Sequence, residues 1–302
     1  MLELWIPATI AAAFLQNLRS ALQKHLKGRL STVGAGYSRF LYAAPVVAVY
    51  LWVLHYFAGL ALPDINNLFL FYCLLGGVCQ IMFTVFLLWM FSFQSFAVGT
   101  TFSKLEVIMV AVLGVIILGD TLNGYAVLAI VISALGVFTL SIGQSELSVK
   151  SLSTGLFRKP TLIGLICAAW LGGSVVFFRG ASLSLEHDSS LMAAAFTLFI
   201  SLLIQVTIMG GYLLAWQPGE FRRVLGQWQW AGAAGITGAL ASIGWFTAFT
   251  VQNASYVRAL GQVELIFTFI ATILIFHEKV SRAEISGIIL VSAGIIMLLL
   301  SG

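Results

Sequence analysis

Ten apolar runs divide the chain, and their length constrains its fold more than any other feature of the sequence. A helix needs about 20 mostly apolar residues to cross the hydrocarbon core of a bilayer. Runs of about this length extend over Leu4–Gln23, Val33–Leu54, Leu68–Phe91, Phe96–Leu118, Asn123–Ile142, Leu162–Ser182, Leu191–Trp216, Trp228–Val251, Ser255–Phe276 and Glu284–Leu300. Charged residues make up only 9% of the chain, against roughly a quarter in soluble domains. The sequence therefore predicts an all-α integral membrane protein with ten transmembrane helices.

Composition and motifs also restrict what such a protein can bind. Three cysteines lie inside apolar runs without CxxC spacing, and the histidines form no HExxH pattern, so we expect no cofactor and no metal. The chain contains no GxxxxGK[ST] loop for ATP. Its net charge of +4 is distributed over loops between spans, which gives no reason to expect a nucleic-acid partner. The expected partners are the lipid bilayer and a small-molecule substrate, with the oligomeric state left open.

The longest interruption divides the chain into two halves of five runs each. We predict a first repeat over residues 1–142, a basic and Ser-rich linker over 143–160, and a second repeat over 161–302. A shift of 158 positions aligns Gln94 with Gln252, Glu106 with Glu264, Asp120 with Glu278 and Gly136 with Gly294, and a shift of 160 aligns Arg19 with Arg179. Since five is odd, the second half enters the membrane upside down. Inverted repeats are a recurrent architecture of transporters, with the binding site at the repeat interface near the midplane.

The aligned residues also resemble a known family. The segments that carry the resemblance are Leu105-Glu106-Val107, Leu118-Gly119-Asp120 and Gly136 in the first half, Val263-Glu264-Leu265, Phe276-His277-Glu278 and Gly294 in the second, and Lys24 with Arg39-Phe40. They are similar to the repeat of the drug/metabolite transporter superfamily, EamA type. The resemblance implies ten helices in two inverted halves, a central cavity open to one side at a time, and transport without ATP. In that family a proline follows each Glu, whereas Val107 and Leu265 stand here, which removes an expected helix kink.

Two carboxylates, Glu106 and Glu264, lie near the middle of the fourth and ninth runs. A charge at the centre of a membrane helix costs at least about 2.5–3.5 kcal/mol, so such residues are functional candidates. A carboxylate shielded from water can take up and release a proton during a transport cycle, and we predict that both groups couple transport to protons. The alternative is structural, with each Glu paired to a neighbouring helix and holding the halves together.

The predicted substrate-binding residues are polar or aromatic side chains inside or at the edges of the runs. They are Gln16, Arg19, Trp170, Arg179, Trp245, Arg258 and Gln262. Snorkelling to the interface is the alternative for the arginines, and ordinary helix packing is the alternative for the tryptophans. Snorkelling is the favoured reading for Arg39, and Lys104 is expected to point away from Glu106. The excess of cations over anions within the runs points weakly to a substrate with a carboxylate or phosphate.

These observations predict a secondary active transporter in a bacterial inner membrane. The leading reading is an exporter of amino acids, related metabolites or amphipathic drugs that works by alternating access, with proton coupling as a further expectation. The alternative is a carrier or flippase for a phosphorylated or lipid-linked metabolite, which the cations would suit. An intramembrane enzyme is disfavoured, because the sequence has no GxSxG elbow, HExxH helix or cluster of Asp motifs.

The orientation of the chain follows from its basic loops, because Lys and Arg in short loops accumulate on the cytoplasmic side. Ten such residues follow odd-numbered runs and so share one face: Lys24, Lys27, Arg29, Lys150, Arg158, Lys159, Arg222, Arg223, Lys279 and Arg282. This asymmetry predicts that both termini lie outside the cytoplasm, whereas the family resemblance implies termini inside.

A reporter that is active only in the periplasm, fused after Gly302, should therefore be active in cells. The matched control carries a reporter that is active only in the cytoplasm at the same position, and it should be silent. The reverse pattern would overturn the loop argument and establish the orientation that the family resemblance implies.

Overall fold

The computed structural model of the protein describes residues 3–90, 103–144, 159–274 and 281–300. The described residues form helices and contain no strand. The helices are α1 (Trp5–Lys27), α2 (Thr32–Tyr56), α3 (Asn67–Met90), α4 (Glu106–Leu113, continued by a π-helical turn over Gly114–Leu118), α5 (Gly124–Gln144), α6 (Lys159–Ser184), α7 (Ser190–Trp216), α8 (Pro218–Gly226), α9 (Trp228–Val251), α10 (Ala254–Gly261), α11 (Val263–Leu274) and α12 (Arg282–Leu300).

The helices agree with the predicted spans. By length and composition, α2, α3, α5, α6, α7, α9 and α12 can each cross a membrane. The first span corresponds to α1, the fourth ends in α4, and the ninth consists of α10 followed by α11. Residue 91 and residues 96–102 and 275–276 of the predicted spans lie outside the described residues, as does most of the predicted linker. The fold class is confirmed: the protein is an all-α membrane protein of ten spans in two five-helix repeats.

Helix packing relates the two halves reciprocally. The first span of each half packs along the third span of the other, α1 against α9 and α6 against α3. The second spans, α2 and α7, pack against each other, and the fifth spans, α5 and α12, do the same. A two-fold axis in the membrane plane relates helices in this way when the second repeat is inverted.

The α5–α12 pair depends on glycines that bring the two backbones into contact. A Cβ added at Gly287 of α12 would lie 2.5 Å from the backbone nitrogen of Leu140. One added at Gly136 of α5 would lie 2.6 Å from the backbone nitrogen of Val291, and one at Gly294 would lie 2.8 Å from that of Ser133. Small residues allow such close approach in lipid, where van der Waals packing rather than water exclusion holds helices together.

The short helix α8 was not predicted, and it covers the start of α2. Its Glu220 is buried, and the carboxylate accepts a hydrogen bond from the amide of Ser31, at the N-cap of α2. An anionic group at a helix N-terminus satisfies free amides and complements the helix dipole. Arg222 and Arg223 of α8 are exposed, so this helix carries part of the basic face of the protein.

Both helices that carry the central carboxylates are interrupted beside the Glu, although neither has a proline there. The helical pattern breaks at Lys104 and Leu105, directly before Glu106, and again at Gln262, two residues before Glu264. The amide of Ile108 bonds to the carbonyl of Leu105, and the amide of Leu265 bonds to that of Gln262. These tight turns replace the usual helical spacing. The described residues therefore contain a break beside each Glu even though Val107 and Leu265 replace the prolines.

The glycine contact predicts a cost for one added methyl group. Gly287→Ala should lower the stability of the purified protein by about 1–3 kcal/mol, because the new Cβ displaces the backbone of α5. The measurement is the midpoint of thermal unfolding in detergent. The matched control is Gly232→Ala in α9, where an added Cβ meets nothing within 4 Å, and its midpoint should stay the same or rise. Equal midpoints for the two variants would contradict the close approach.

Candidate functional site

A cavity of about 270 Å³ lies between the two repeats. This volume is just below the usual range of small-molecule sites. The lining combines charged and polar groups with aromatic side chains, and its described residues are Gln16, Asn17, Arg19, Ser20, Arg39, Gln80, Phe83, Leu87, Ser103, Lys104, Glu106, Leu171, Ser174, Val175, Phe178, Ser242, Trp245, Phe246, Phe249, Arg258 and Glu264. In a chain with so few charges, six ionisable side chains at one cavity make it the candidate functional site.

The first carboxylate is paired across the repeats. Glu106, in the first turn of α4, forms an ion pair with the guanidinium of Arg258 on α10. Both side chains are almost completely buried, with 5% and 6% of their surface exposed. Because the pair is shielded from water, loss of either partner is costly, and Arg258 also lies within electrostatic range of Glu264. The contact therefore ties a helix of the first repeat to a helix of the second.

The second carboxylate is paired in the opposite sense. Glu264, at the start of α11, forms an ion pair with Lys104 of the first repeat, and the Lys104 Nζ lies 2.7 Å from the Glu264 Oε1. The side-chain amide of Gln16 on α1 donates to the other carboxylate oxygen at 3.3 Å. Each repeat thus supplies a cation to the carboxylate of the other repeat. We call the Arg258–Glu106 and Lys104–Glu264 contacts the crossed ion pairs.

Trp245 of α9 joins the two crossed ion pairs. Its ring lies 4.8 Å from the guanidinium carbon of Arg258, which is a cation–π distance. Its indole nitrogen donates to the side-chain oxygen of Gln16 at 3.0 Å, and Gln16 in turn reaches Glu264. One wall of the cavity is therefore a connected set of aromatic, amide and charged groups.

Two arginines in the cavity have no such partner. Arg19 of α1 and Arg39 of α2 line it and are each 7% exposed. Among the described residues neither forms an ion pair with a carboxylate. Within the part of the chain that the structure describes, the Nε atom of Arg19 has no hydrogen-bond partner, and Arg39 donates a hydrogen bond to the hydroxyl of Thr84 at 3.3 Å.

Arg179, the repeat counterpart of Arg19, lies elsewhere. It forms a 2.5 Å ion pair with Asp120, beyond the end of α4. Its Nε donates to the backbone carbonyls of Phe249 at 3.1 Å and Gln252 at 3.2 Å. These contacts, which we call the Arg179 clasp, join the ends of α4, α6 and α9 at the face of the bundle where α1 begins. Arg179 is absent from the lining of the cavity described above.

The structure brings together six of the nine predicted site residues at the cavity: Gln16, Arg19, Trp245, Arg258, Glu106 and Glu264. Trp170, half-buried on α6, and Gln262 do not belong to the described lining. Gln262 is buried at the break between α10 and α11, where its side chain donates to the carbonyl of Arg258 at 3.4 Å. Their predicted contact with substrate at this cavity is therefore not supported by their positions, and the same holds for Arg179.

Sequence reasoning underrated two cavity residues, Lys104 and Arg39. The ammonium of Lys104 reaches Glu264, the carboxylate of the other repeat, at 2.7 Å. Inversion of the repeats was the available clue, because it brings the fourth and ninth spans together. Arg39 was expected to snorkel, yet it is buried against Phe40. Within the described ranges, no group of three or more His, Cys, Asp or Glu side chains is placed to hold a metal ion.

A membrane protein with two related five-helix repeats around a charged cavity has the construction of a membrane transporter. The profile of the EamA-like transporter family matches the chain twice, at residues 3–142 and 159–300. The chain therefore belongs to the EamA-like transporter family, in agreement with the resemblance to the drug/metabolite transporter superfamily.

A comparison with solved structures supports the fold. One match, described only as a crystal structure of a protein, has a TM-score of 0.68 and 12% sequence identity over 98% of this chain and 96% of the other. At that identity the likeness concerns the fold alone. No curated protein matches the sequence.

Proposed function

We propose that the protein is a secondary active transporter that moves small charged metabolites through the central cavity by alternating access. The observation that carries the proposal is the cavity between the repeats, which gathers six ionisable side chains in an otherwise apolar chain. Charges at membrane depth are costly, and they are typical of substrate or ion pathways. A charged lining suits amino acids and related metabolites better than amphipathic drugs.

The different positions of Arg19 and Arg179 support alternating access. These two residues correspond in the repeats, yet Arg19 lines the cavity, whereas Arg179 holds together the ends of three helices. Inverted repeats that adopt two different local arrangements can exchange them, and the exchange moves the opening from one face to the other. In the proposed cycle, the Arg179 clasp is made in this state and broken in the opposite one.

The position of the cavity fits export from the cytoplasm. Arg19 lies in the second half of α1 and Arg39 in the first half of α2, so both belong to the half of the bundle that carries the basic loops. If those loops face the cytoplasm, as their charge predicts, this half of the cavity lies on the cytoplasmic side. A bacterial inner membrane is the proposed location.

A carrier for phosphorylated or lipid-linked metabolites is the second candidate. Four cationic side chains line the cavity, Arg19, Arg39, Lys104 and Arg258, against the two carboxylates. That excess of positive charge favours a negatively charged substrate, and it is the observation that supports this second candidate.

Glu264 is the proposed proton-coupling residue. Its carboxylate is the meeting point of Lys104, Gln16 and the cavity, so a change in its charge reaches both repeats. Glu106 is the second candidate, and among the described residues it forms its ion pair with Arg258.

The transport proposal is tested in proteoliposomes that contain the purified protein. Labelled amino acids and, separately, labelled phosphorylated metabolites are offered to vesicles loaded with the same unlabelled compounds. Counterflow above that of protein-free vesicles is expected for at least one of the two sets, and which set it is decides between the two candidates. Absence of counterflow for both sets would contradict the proposal.

The coupling prediction uses the substrate found in this way. In Glu264→Gln, uptake driven by a pH gradient should fall to the level of protein-free vesicles, while counterflow stays measurable, because the amide cannot carry the proton. Glu186→Gln is the matched control, since Glu186 is exposed in the loop between α6 and α7, and it should behave as wild type. Normal gradient-driven uptake by Glu264→Gln would remove the coupling role.

A further inference from the structure

We propose that Arg19 and Arg39 form a binding subsite for a dianionic group, either a phosphate monoester or a dicarboxylate, on the transported molecule. This inference rests on the proposed function and names the substrate class of the same cavity. We call these two residues the arginine pair. They come from adjacent helices, α1 and α2, and both residues line the cavity.

The charge balance of the cavity is the first argument. The crossed ion pairs account for both carboxylates and for two of the four cations. The arginine pair is what remains, so the described lining carries an excess of two positive charges. Arg39 also lies within electrostatic range of Arg19, which repels it. Arg19 lies within range of Glu264 and Arg258. A ligand with two negative charges would neutralise this excess.

The second argument is burial without hydrogen-bond partners. Both arginines are more than nine-tenths buried, and a buried charge is costly unless it is paired and hydrogen-bonded. Among the described residues, Arg39 donates one hydrogen bond, to Thr84 at 3.3 Å, and the Nε of Arg19 donates none. A guanidinium presents five donors in a planar fork that fits carboxylate and phosphate oxygens, so most of this donor capacity is left for a ligand.

The surroundings direct Arg19 to the cavity. Its side chain passes Gly238 of α9, where an added Cβ would lie 3.1 Å from the Arg19 Cδ. The side chain therefore lies across the interior of the bundle and does not snorkel outward. Snorkelling, the alternative for a charged residue near a span end, does not account for this course or for the burial of the guanidinium.

The test is a binding measurement with the full-length protein purified in detergent, at about pH 7.5, where a phosphate monoester is mostly dianionic. The probes are glycerol 3-phosphate and succinate as dianions, lactate as a monoanion and glycerol as a neutral molecule. All are compared at equal ionic strength set with sodium chloride. The readout is the rise in the thermal unfolding midpoint with probe concentration, because a ligand that binds only the folded state must stabilise it.

At least one dianion should stabilise the wild type more than lactate does, and glycerol should have no effect. The affinity for the stabilising dianion should fall by about tenfold or more in Arg19→Gln and in Arg39→Gln. This is the loss expected when one charge-assisted hydrogen bond is removed. Arg222→Gln, which changes an exposed arginine on α8, is the matched control and should bind as wild type. Stabilisation by glycerol 3-phosphate alone assigns a phosphate ester, and by succinate alone a dicarboxylate.

Two results would overturn the subsite. One is that neither dianion stabilises the wild type beyond sodium chloride. The other is that the arginine variants unfold at lower temperature without ligand but keep the affinity of wild type, which is the behaviour of a purely structural pair. Because binding is measured without transport, the two proposals fail separately. Binding of a dianion without counterflow contradicts transport, whereas counterflow that Arg19→Gln leaves unchanged contradicts the subsite.

Discussion

The crossed ion pairs are the interaction on which the arrangement of the two repeats depends. A charge at the depth of Glu106 or Glu264 is costly in a membrane, and here the compensation comes in each case from the other repeat. Neither half can bury its carboxylate in this way alone. The pairs therefore favour the association of the repeats, and they place four ionisable groups at the interface where a substrate would bind.

The interruptions in the helices place both carboxylates at helix N-termini. Because the helical pattern breaks directly before Glu106 and two residues before Glu264, both carboxylates lie in the first turn of a helical segment that begins inside the bundle. The N-terminus of a helix favours negative charge, so the break and the ion pair stabilise the carboxylates together. Interrupted helices of this kind at the repeat interface are typical of binding sites in secondary transporters.

The two repeats depart from strict two-fold symmetry, and this difference supports the proposed transport cycle. Lys104 and Gln262 are equivalent positions in the repeats, yet only Lys104 lines the cavity. Arg19 and Arg179 differ in the same sense, since only Arg179 is engaged in the clasp. Strict two-fold symmetry would give identical surroundings to both members of each couple. In each end state of an alternating-access carrier, the two repeats adopt different arrangements. The difference between the repeats of this protein fits that requirement.

The fold was predictable because hydropathy alone identifies helices that must cross lipid, and the repeat followed from a few rare residues such as Glu106 and Glu264. The same reasoning found four of the six ionisable side chains in the described cavity lining. It could not tell that Arg179 and Trp170 lie outside the described lining, because hydropathy gives the depth of a side chain but not the face of the helix that it occupies. It undervalued Lys104 and Arg39, because the partner of a buried charge is set by contacts between distant spans.

The central claim, that buried charges couple the two repeats, is tested most directly by a double-mutant cycle on Glu106 and Arg258. Each single variant, Glu106→Gln or Arg258→Gln, removes one partner of a buried ion pair and should cost about 3–5 kcal/mol of stability. The double variant removes both charges and should be clearly more stable than the sum of the single costs implies. Glu106→Gln combined with Arg179→Gln, which lies outside the pair, is the control and should be additive. Additive costs for Glu106 and Arg258 as well would show that the crossed ion pair does not hold the repeats together.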